Sequence, residues 1–342
     1  MGKQGSSIGK FILEALAAFA LVVAAVYLCD SRRVFAADES NNHIDKKWHY
    51  LYQYAKQKKP VDFLVVGNSH AYTGIVPELF QQSKLGVRCF ILAAPGVSMD
   101  ECSYMLEEAL KITSPKLVIL ETYPINGYVQ KELEGQQLSD QFASFASRRD
   151  KRLKVKSCGK LFSPENIPMA WSATLRNHDI LFDLPKLLKY NLKNPQGPRY
   201  DPDEEYLGRY IRFKTGLTQE TLDKYRLNGA PVDGSAIKPG PDAEKATRRM
   251  VAMCKEKGIR VMFLTIPMYH EHVKGAEAWH NNLQPLIGDT PWLDLQMPGF
   301  NDYFTPDCFE DTYDENQHQS GKGAVLTTDM LIKFIMRFST RH

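Results

Sequence analysis

Asp62-Phe-Leu-Val-Val-Gly67-Asn68-Ser69-His70 is the part of the chain that indicates the fold. A short apolar run that ends at a glycine is typical of a strand buried inside a parallel sheet. Ser69 then stands where the chain turns from the strand into a helix. Ligands of open parallel sheets bind beyond the carboxyl ends of the strands. The sequence therefore predicts that Ser69 lies at the edge of the sheet where a site is expected.

Strands and helices alternate on both sides of this stretch. Further strands are predicted at residues 87–92, 116–121, 259–266 and 292–295, and helices at 46–58, 77–84, 99–112, 242–257, 275–288 and 321–338. Residues 125–240 break this rhythm with many charges and several prolines, and we interpret them as an insertion or lid. The alternation predicts a flavodoxin-like three-layer α/β/α sandwich with a parallel sheet of about five strands.

The N-terminal region carries an apolar run, FILEALAAFALVVAAVYLC, at residues 11–29. Its length is close to the roughly 20 residues that a helix needs to cross a bilayer. We expect a short cytoplasmic tail at 1–10, a transmembrane anchor at 11–29, a linker at 30–45 and an α/β domain at 46–342 outside the cytoplasm. The flanking Lys and Arg residues are balanced and do not set the orientation. A cleaved signal peptide and a lipid anchor at Cys29 remain alternatives.

Composition excludes some classes of function. The net charge is only +3 and no basic block occurs, so a nucleic-acid partner is not expected. The six cysteines match no zinc pattern, and no disulfide pair can be chosen. His270-Glu-His272, with His280 further on, lacks metalloprotease spacing and fits better as a lining of the substrate cleft. We therefore predict no metal and no cofactor.

The candidate chemistry combines Ser69 with His318. A hydroxyl is a poor nucleophile unless a base takes its proton, and His318 precedes the final helix on the same predicted edge of the sheet. Asp314 is the best candidate for the acid that orients His318, with Glu315 and Asp311 as alternatives. Backbone N–H groups of Ser69 and Gly96 are expected to stabilise an oxyanion.

Structural explanations stand beside these roles. Ser69 is also a suitable helix cap, and His318 alone is also compatible with a surface loop. His70 fits a site-lining or hydrogen-bonding role better than that of the base. The alternating aromatic and basic residues at 206–214 suit sugar stacking, but packing of the insertion against the core explains them better.

These motifs resemble the SGNH/GDSL hydrolase superfamily. Gly67-Asn68-Ser69-His70 is similar to its nucleophile block, Gly96 to its glycine block, and Asp314…His318 with Gly323-Ala324 to its final block. The resemblance is strongest to the membrane-anchored bacterial branch that includes D-alanine transfer and polysaccharide O-acetylation proteins. It covers roughly residues 60–125 and 245–338.

Two positions depart from the family pattern. The family's third block has an asparagine after the third strand, but the residues here are Glu121-Thr-Tyr123-Pro and the asparagine is missing. Tyr123 or another group would therefore have to donate to the oxyanion. Gln319-Ser320 follows the histidine in place of Leu-Asn.

The resemblance implies an O-acyl (acetyl) transferase or esterase that acts on extracytoplasmic glycans. Its expected substrates are a glycan or an acyl ester, bound near Asn68, His70, Gly96 and Tyr123. It also implies a membrane-bound O-acyltransferase as a partner. The departures favour an alternative, a non-catalytic glycan-binding or assembly module on the same fold.

Overall fold

The computed structural model describes residues 3–31, 43–125, 172–176, 183–185, 205–210 and 216–339. The chain divides into two compact units: Met1–Asp45 with Gln137–Asp203, and Lys46–Gln136 with Glu204–His342. The second unit contains the sheet and every candidate site residue. Most of the predicted linker, and most of the predicted insertion before residue 205, lie outside the described residues.

Five parallel strands form the central sheet of the second unit. They are β1 (Phe63–Gly67), β2 (Cys89–Ala93), β3 (Leu117–Glu121), β4 (Arg260–Thr265) and β5 (Trp292–Asp294). Their spatial order is β2-β1-β3-β4-β5 with every pair parallel. This is the order of flavodoxin-like folds. Val232–Asp233 and Val273–Lys274 make a separate two-stranded parallel sheet.

The described helices alternate with these strands. They are α1 (Lys3–Ser31), α2 (His43–Lys56), α3 (Ser69–Gly74), α4 (Glu78–Gln82), α5 (Met99–Ala109), α6 (Ala173–Arg176), α7 (Gln219–Asn228), α8 (Pro241–Glu256), α9 (Ala276–Ile287) and α10 (Gly321–Ser339). Helices α5 and α8 pack together on one face of the sheet, and α10 packs against α3 and α4 on the other.

The three central layers form because the strands are apolar on both faces. Every residue of β1, β2 and β3 is buried, as expected for strands covered by helices on both sides. On the face of α10, Val65 and Ile119 join a core with Phe80, Leu331 and Ile335. The predicted fold class is confirmed by this arrangement.

The helix expected after the nucleophile turn is α3, which begins at Ser69 itself. Helices α6 and α7 were not foreseen, because both lie within the region that the sequence left without a rhythm. Residues 205–210 and 216–240 belong to the same compact unit as the sheet, although the sequence grouped them with the insertion. The exact limits of an insertion or lid stay a prediction.

The segment 205–210 covers the open edge of the sheet. Ile91 of the edge strand β2 donates its N–H to Leu207 O at 2.9 Å, and Tyr210 N–H donates to Tyr72 O at 3.1 Å. Gly208 has φ +87°, and a Cβ placed there would lie 2.1 Å from Ile91 O. Only glycine therefore permits this close approach, which pairs backbone groups that an edge strand otherwise exposes.

The N-terminal helix α1 contains an apolar span. Ile8–Cys29 is 22 residues long, has a mean hydropathy of 2.4, and is exposed along nearly all of its length. By length and composition this span can serve as a membrane anchor or as a signal sequence.

Candidate active site

The candidate nucleophile Ser69 is the first residue of α3. Asn68 caps the helix, because its Oδ1 accepts the His70 N–H at 3.1 Å. Capping is thus performed by Asn68, and the Ser69 hydroxyl has no hydrogen-bond partner among the described residues. Ser69 is half-buried, so its hydroxyl is available at the carboxyl end of β1.

The candidate base His318 is held by a carboxylate. Its Nδ1 lies 2.7 Å from Glu310 Oε1, which also accepts the His318 backbone N–H at 2.8 Å. Both side chains are largely buried. A carboxylate at Nδ1 favours the tautomer with the proton on that nitrogen, so Nε2 is the atom that can accept a proton.

The acid next to His318 is therefore Glu310, which the sequence reasoning did not consider. Asp314, the expected acid, uses Oδ1 to accept the Asn316 N–H at 2.7 Å. Asp311 accepts hydrogen bonds from Thr218 and Thr221 at the start of α7. Glu315 offers its backbone carbonyl to Tyr123. The three candidates thus lie on the same loop, while a fourth acid contacts the imidazole.

Glu310 meets His318 because the loop between them closes on itself. Phe309 and Gln319 form an antiparallel bridge, and Glu310 N–H donates to His318 O at 2.9 Å. Residues eight apart in the chain thus stand opposite each other, while Asp314 lies at the middle of the loop. One signal pointed to Glu310: it directly follows the apolar pair Cys308-Phe309, which suits an acid that enters the core.

A stack of three rings joins the nucleophile turn to the base. His70 packs against Tyr123 with ring centres 4.0 Å apart and against His318 at 4.9 Å. The residue that contacts His318 is thus His70, the chain neighbour of Ser69, and no hydrogen bond joins Ser69 to His318. Burial, followed by the nearby His318 and His272, lowers the pKa of His70 well below its usual value. His70 is therefore neutral at neutral pH.

Tyr123 and Gly96 are the other predicted site residues. The Tyr123 hydroxyl donates to Glu315 O at 3.0 Å, so it is used to hold the His318 loop. Gly96 has φ +62° and is exposed on the loop after β2. That left-handed conformation suits glycine, and its N–H lies on the same sheet edge as Ser69.

A buried polar network supports the His318 loop from its other side. Gln317 donates Nε2–H to the Tyr225 hydroxyl at 2.9 Å and accepts the Tyr269 N–H at 2.6 Å. The same hydroxyl lies 2.8 Å from Nδ1 of His272, whose pKa is lowered by burial to about 4. His272 thus braces the loop, while His280 pairs with Asp294 at 2.7 Å. Within the described ranges, no group of three or more potential ligands is arranged for a metal ion.

Lys47 is a buried residue that sequence reasoning missed. Its Nζ donates to Ala93 O at 2.5 Å and lies 4.6 Å from the centre of the Tyr72 ring. Burial lowers the pKa of this amine well below its usual value. Lys47 ties α2 to the end of β2, just before the Gly96 loop. A lysine in an amphipathic helix normally faces solvent, so the sequence held no signal for this contact.

Comparison with known proteins adds little to this geometry. No protein-family model matches the chain, and no curated protein matches its sequence. A solved structure of a Bacteroides fragilis protein provisionally named an acylhydrolase is 12% identical, with a TM-score of 0.36, over 86% of this chain and 97% of that one. A variant of a Geobacillus stearothermophilus acetylxylan esterase is 13% identical, with a TM-score of 0.35, over 80% of this chain and 92% of the esterase. A variant of an acetyl-xylooligosaccharide esterase is 11% identical, with a TM-score of 0.34, over 80% and 93% of the two chains. Likeness at this level carries no argument about chemistry, so the function is argued from the site itself.

Proposed function

We propose that the protein is a serine acyl-ester hydrolase or O-acyltransferase whose nucleophile is Ser69 and whose base is His318. The observation that carries this proposal is the buried His318–Glu310 pair, with Nδ1 and Oε1 2.7 Å apart, beside the turn that presents an unbonded serine hydroxyl. An imidazole held by a carboxylate next to such a hydroxyl has the parts of a nucleophilic acyl-transfer site.

In the first half of the reaction, Ser69 Oγ attacks the acyl carbonyl carbon and its proton passes to His318 Nε2. Glu310 stabilises the imidazolium that results. The oxyanion is stabilised by backbone N–H groups of Ser69 and Gly96. The Ser69 N–H lies in the first turn of α3, where helical N–H groups have no acceptor within the helix. The intermediate then expels its alcohol, which takes the proton from His318 and leaves an acyl-enzyme.

In the second half, a water or a sugar hydroxyl gives its proton to His318 and bonds to the acyl carbon. Ser69 is released and regains the proton. Ser69 and His318 are not hydrogen-bonded in this structure, so the hydroxyl and Nε2 must come into hydrogen-bond contact before attack. Catalytic hydrogen bonds of unliganded enzymes often tighten only when substrate binds.

The finer proposal concerns substrate and place. The resemblance to membrane-anchored O-acetylation proteins favours an extracytoplasmic glycan as acceptor and a membrane-bound O-acyltransferase as the source of acyl groups. The apolar span Ile8–Cys29 supports an anchor that keeps the domain at the membrane. Product analysis separates the two reactions, because free acetate marks hydrolysis and an acetylated sugar marks transfer.

The central test is labelling of the purified full chain in detergent with a fluorophosphonate, together with hydrolysis of p-nitrophenyl acetate. We expect label on Ser69, and a loss of kcat by roughly a thousandfold or more in Ser69→Ala and His318→Ala. Ser114→Ala is the matched control, because Ser114 is exposed and precedes β3 at the opposite edge of the sheet.

One observation favours the non-catalytic alternative. Tyr123 stands where the family has its oxyanion asparagine, but its hydroxyl donates to Glu315 O instead of to a substrate position. Folded wild-type protein that neither takes the label nor hydrolyses the ester would support a glycan-binding or assembly module instead. Labelling that persists in Ser69→Ala would reject Ser69 as the nucleophile.

A further inference from the structure

Glu121 is a buried acid with an unusual pair of partners. It ends β3, is 1% exposed, and makes no ion pair with any described residue. Its Oε2 accepts the Asn68 N–H at 3.4 Å, and its Oε1 accepts the Tyr123 N–H at 2.6 Å. Burial raises the pKa of this carboxyl to about 8. One side chain thus joins the chain segments that follow the neighbouring strands β1 and β3.

The strand that carries the nucleophile leaves room for this carboxyl. A Cβ on Gly67 would lie 2.6 Å from Glu121 Cβ and 2.9 Å from Oε2. Any side chain at residue 67 would therefore push Glu121 away from Asn68. Gly67 and Glu121 form a matched pair, in which the missing side chain of one makes space for the carboxyl of the other.

Tyr123 extends this connection to the base. Its backbone is held by Glu121, its ring packs on His70, and its hydroxyl donates to Glu315 O, three residues before His318. The carboxyl of Glu121 therefore reaches the nucleophile turn directly through Asn68 and the His318 loop indirectly through Tyr123.

We propose that Glu121 is a positioning residue, which sets the geometry between Ser69 and His318 by holding Asn68 and Tyr123 together. This inference rests on the proposed function. Glu121 touches neither the reacting atoms nor His318, so it acts through the segments it joins. Small displacements of reacting groups have large effects on rate, because the reaction needs a narrow range of approach geometries.

The test compares Glu121→Gln, Tyr123→Phe and the double variant in the full chain. Glutamine keeps the shape of the side chain but has one oxygen acceptor for two backbone donors, whereas the carboxylate present above its pKa of about 8 has two, so labelling is measured at about pH 9. Tyr123→Phe removes the bond to Glu315 and keeps the ring on His70. We expect each single change to slow fluorophosphonate labelling of Ser69 and to lower kcat by about tenfold, with KM little changed.

The double variant decides whether the two residues act together. If Glu121 works through Tyr123, the double variant loses no more rate than the worse single variant, whereas independent losses would multiply. Glu108→Gln is the matched control: Glu108 is also a buried acid, but it lies at the end of α5 away from the site and pairs with Lys111. We expect it to keep the wild-type labelling rate.

The outcomes separate the inference from the function. Suppose that the wild type is labelled on Ser69. If Glu121→Gln then reacts at the wild-type rate, or if the losses of the two single variants multiply in the double variant, the positioning role is overturned and the proposed function stands. If Glu121→Gln does not fold, a Tyr123→Phe variant with the wild-type rate also overturns that role. No labelling of folded wild type rejects the proposed function, and the positioning role with it.

Discussion

At the scale of one residue, Glu310 shows that loop closure determines which acid contacts the candidate base. Three acids on the loop of residues 311–315 stand closer to His318 in sequence, yet Glu310 supplies the oxygen that lies 2.7 Å from its Nδ1. Proximity along the chain did not matter, because the backbone pairing of Phe309 with Gln319 places residue 310 opposite residue 318. The acid of the proposed mechanism is thus selected by the closure of a loop.

This contact predicts unequal effects of two similar substitutions. Glu310→Gln removes the charge that stabilises the imidazolium, so we expect kcat for p-nitrophenyl acetate to fall by roughly a thousandfold, with the protein still folded. Asp314→Asn removes a charge from the same loop but no contact to His318, so its effect on kcat should be far smaller.

Steady-state kinetics of both variants, with circular dichroism to confirm folding, check this prediction. A larger loss in Asp314→Asn than in Glu310→Gln would return the role of the acid to Asp314.

At the scale of elements, the segment 205–210 acts as a cover for the edge strand β2. It satisfies the Ile91 N–H and reaches α3 through Tyr210 and Tyr72. The segment therefore connects the edge of the sheet to the helix that begins with the proposed nucleophile. The sequence grouped these residues with an insertion, because a single covering segment has no periodicity to identify it.

Gly208→Ala should disrupt this cover. The new methyl group would stand 2.1 Å from Ile91 O, at a residue with φ +87°. We expect a loss of about 2–5 kcal/mol in the free energy of unfolding, made of about 1–2 kcal/mol for the left-handed conformation and about 1–3 kcal/mol for the contact, or faster proteolysis near residue 208.

Gly86→Ala provides the matched control for backbone conformation. Gly86 also has a positive φ, +57°, but a Cβ there would meet nothing within 4 Å. Gly86→Ala should therefore lower the free energy of unfolding only by the penalty of the left-handed conformation, about 1–2 kcal/mol. Chemical denaturation of the two variants compares them, and equal losses would mean that the contact with Ile91 contributes nothing.

At the scale of the whole molecule, the chain joins an apolar N-terminal helix to an α/β unit that carries the site. Ile8–Cys29 can span a bilayer by its length and composition. We expect the full chain to remain in the membrane fraction after alkaline extraction, and a variant that lacks residues 2–31 to be released.

A charged variant tests the same point without deletion. Ala18→Arg combined with Val22→Arg places two charges near the centre of the span, each costing about 2.5–3.5 kcal/mol on insertion. An anchor is supported if this variant is released from the membrane fraction and if the wild-type protein has the mass of the full chain. A wild-type mass that lacks roughly the first 30–40 residues would show a cleaved signal peptide instead.

The fold follows from the sequence because its signals are local. Each buried strand, such as Phe63–Gly67, is a short apolar run that a turn residue ends, and each intervening helix has its own periodicity. The order of the strands then follows from right-handed crossovers and helices that cover both faces. The positions of Ser69 and His318 at one edge could be predicted for the same reason, since both follow from where strands end.

Contacts within the site were decided only by the tertiary structure. Glu310 at His318, Glu121 beneath Asn68, and Lys47 at the end of β2 each join residues whose separation along the chain carries no periodic signal. Hydrogen bonds have a range of about 3 Å, so they depend on how loops close and where strand ends meet. Local patterning determined the layers and the edge that holds the candidate site, while loop closure determined which polar groups meet there.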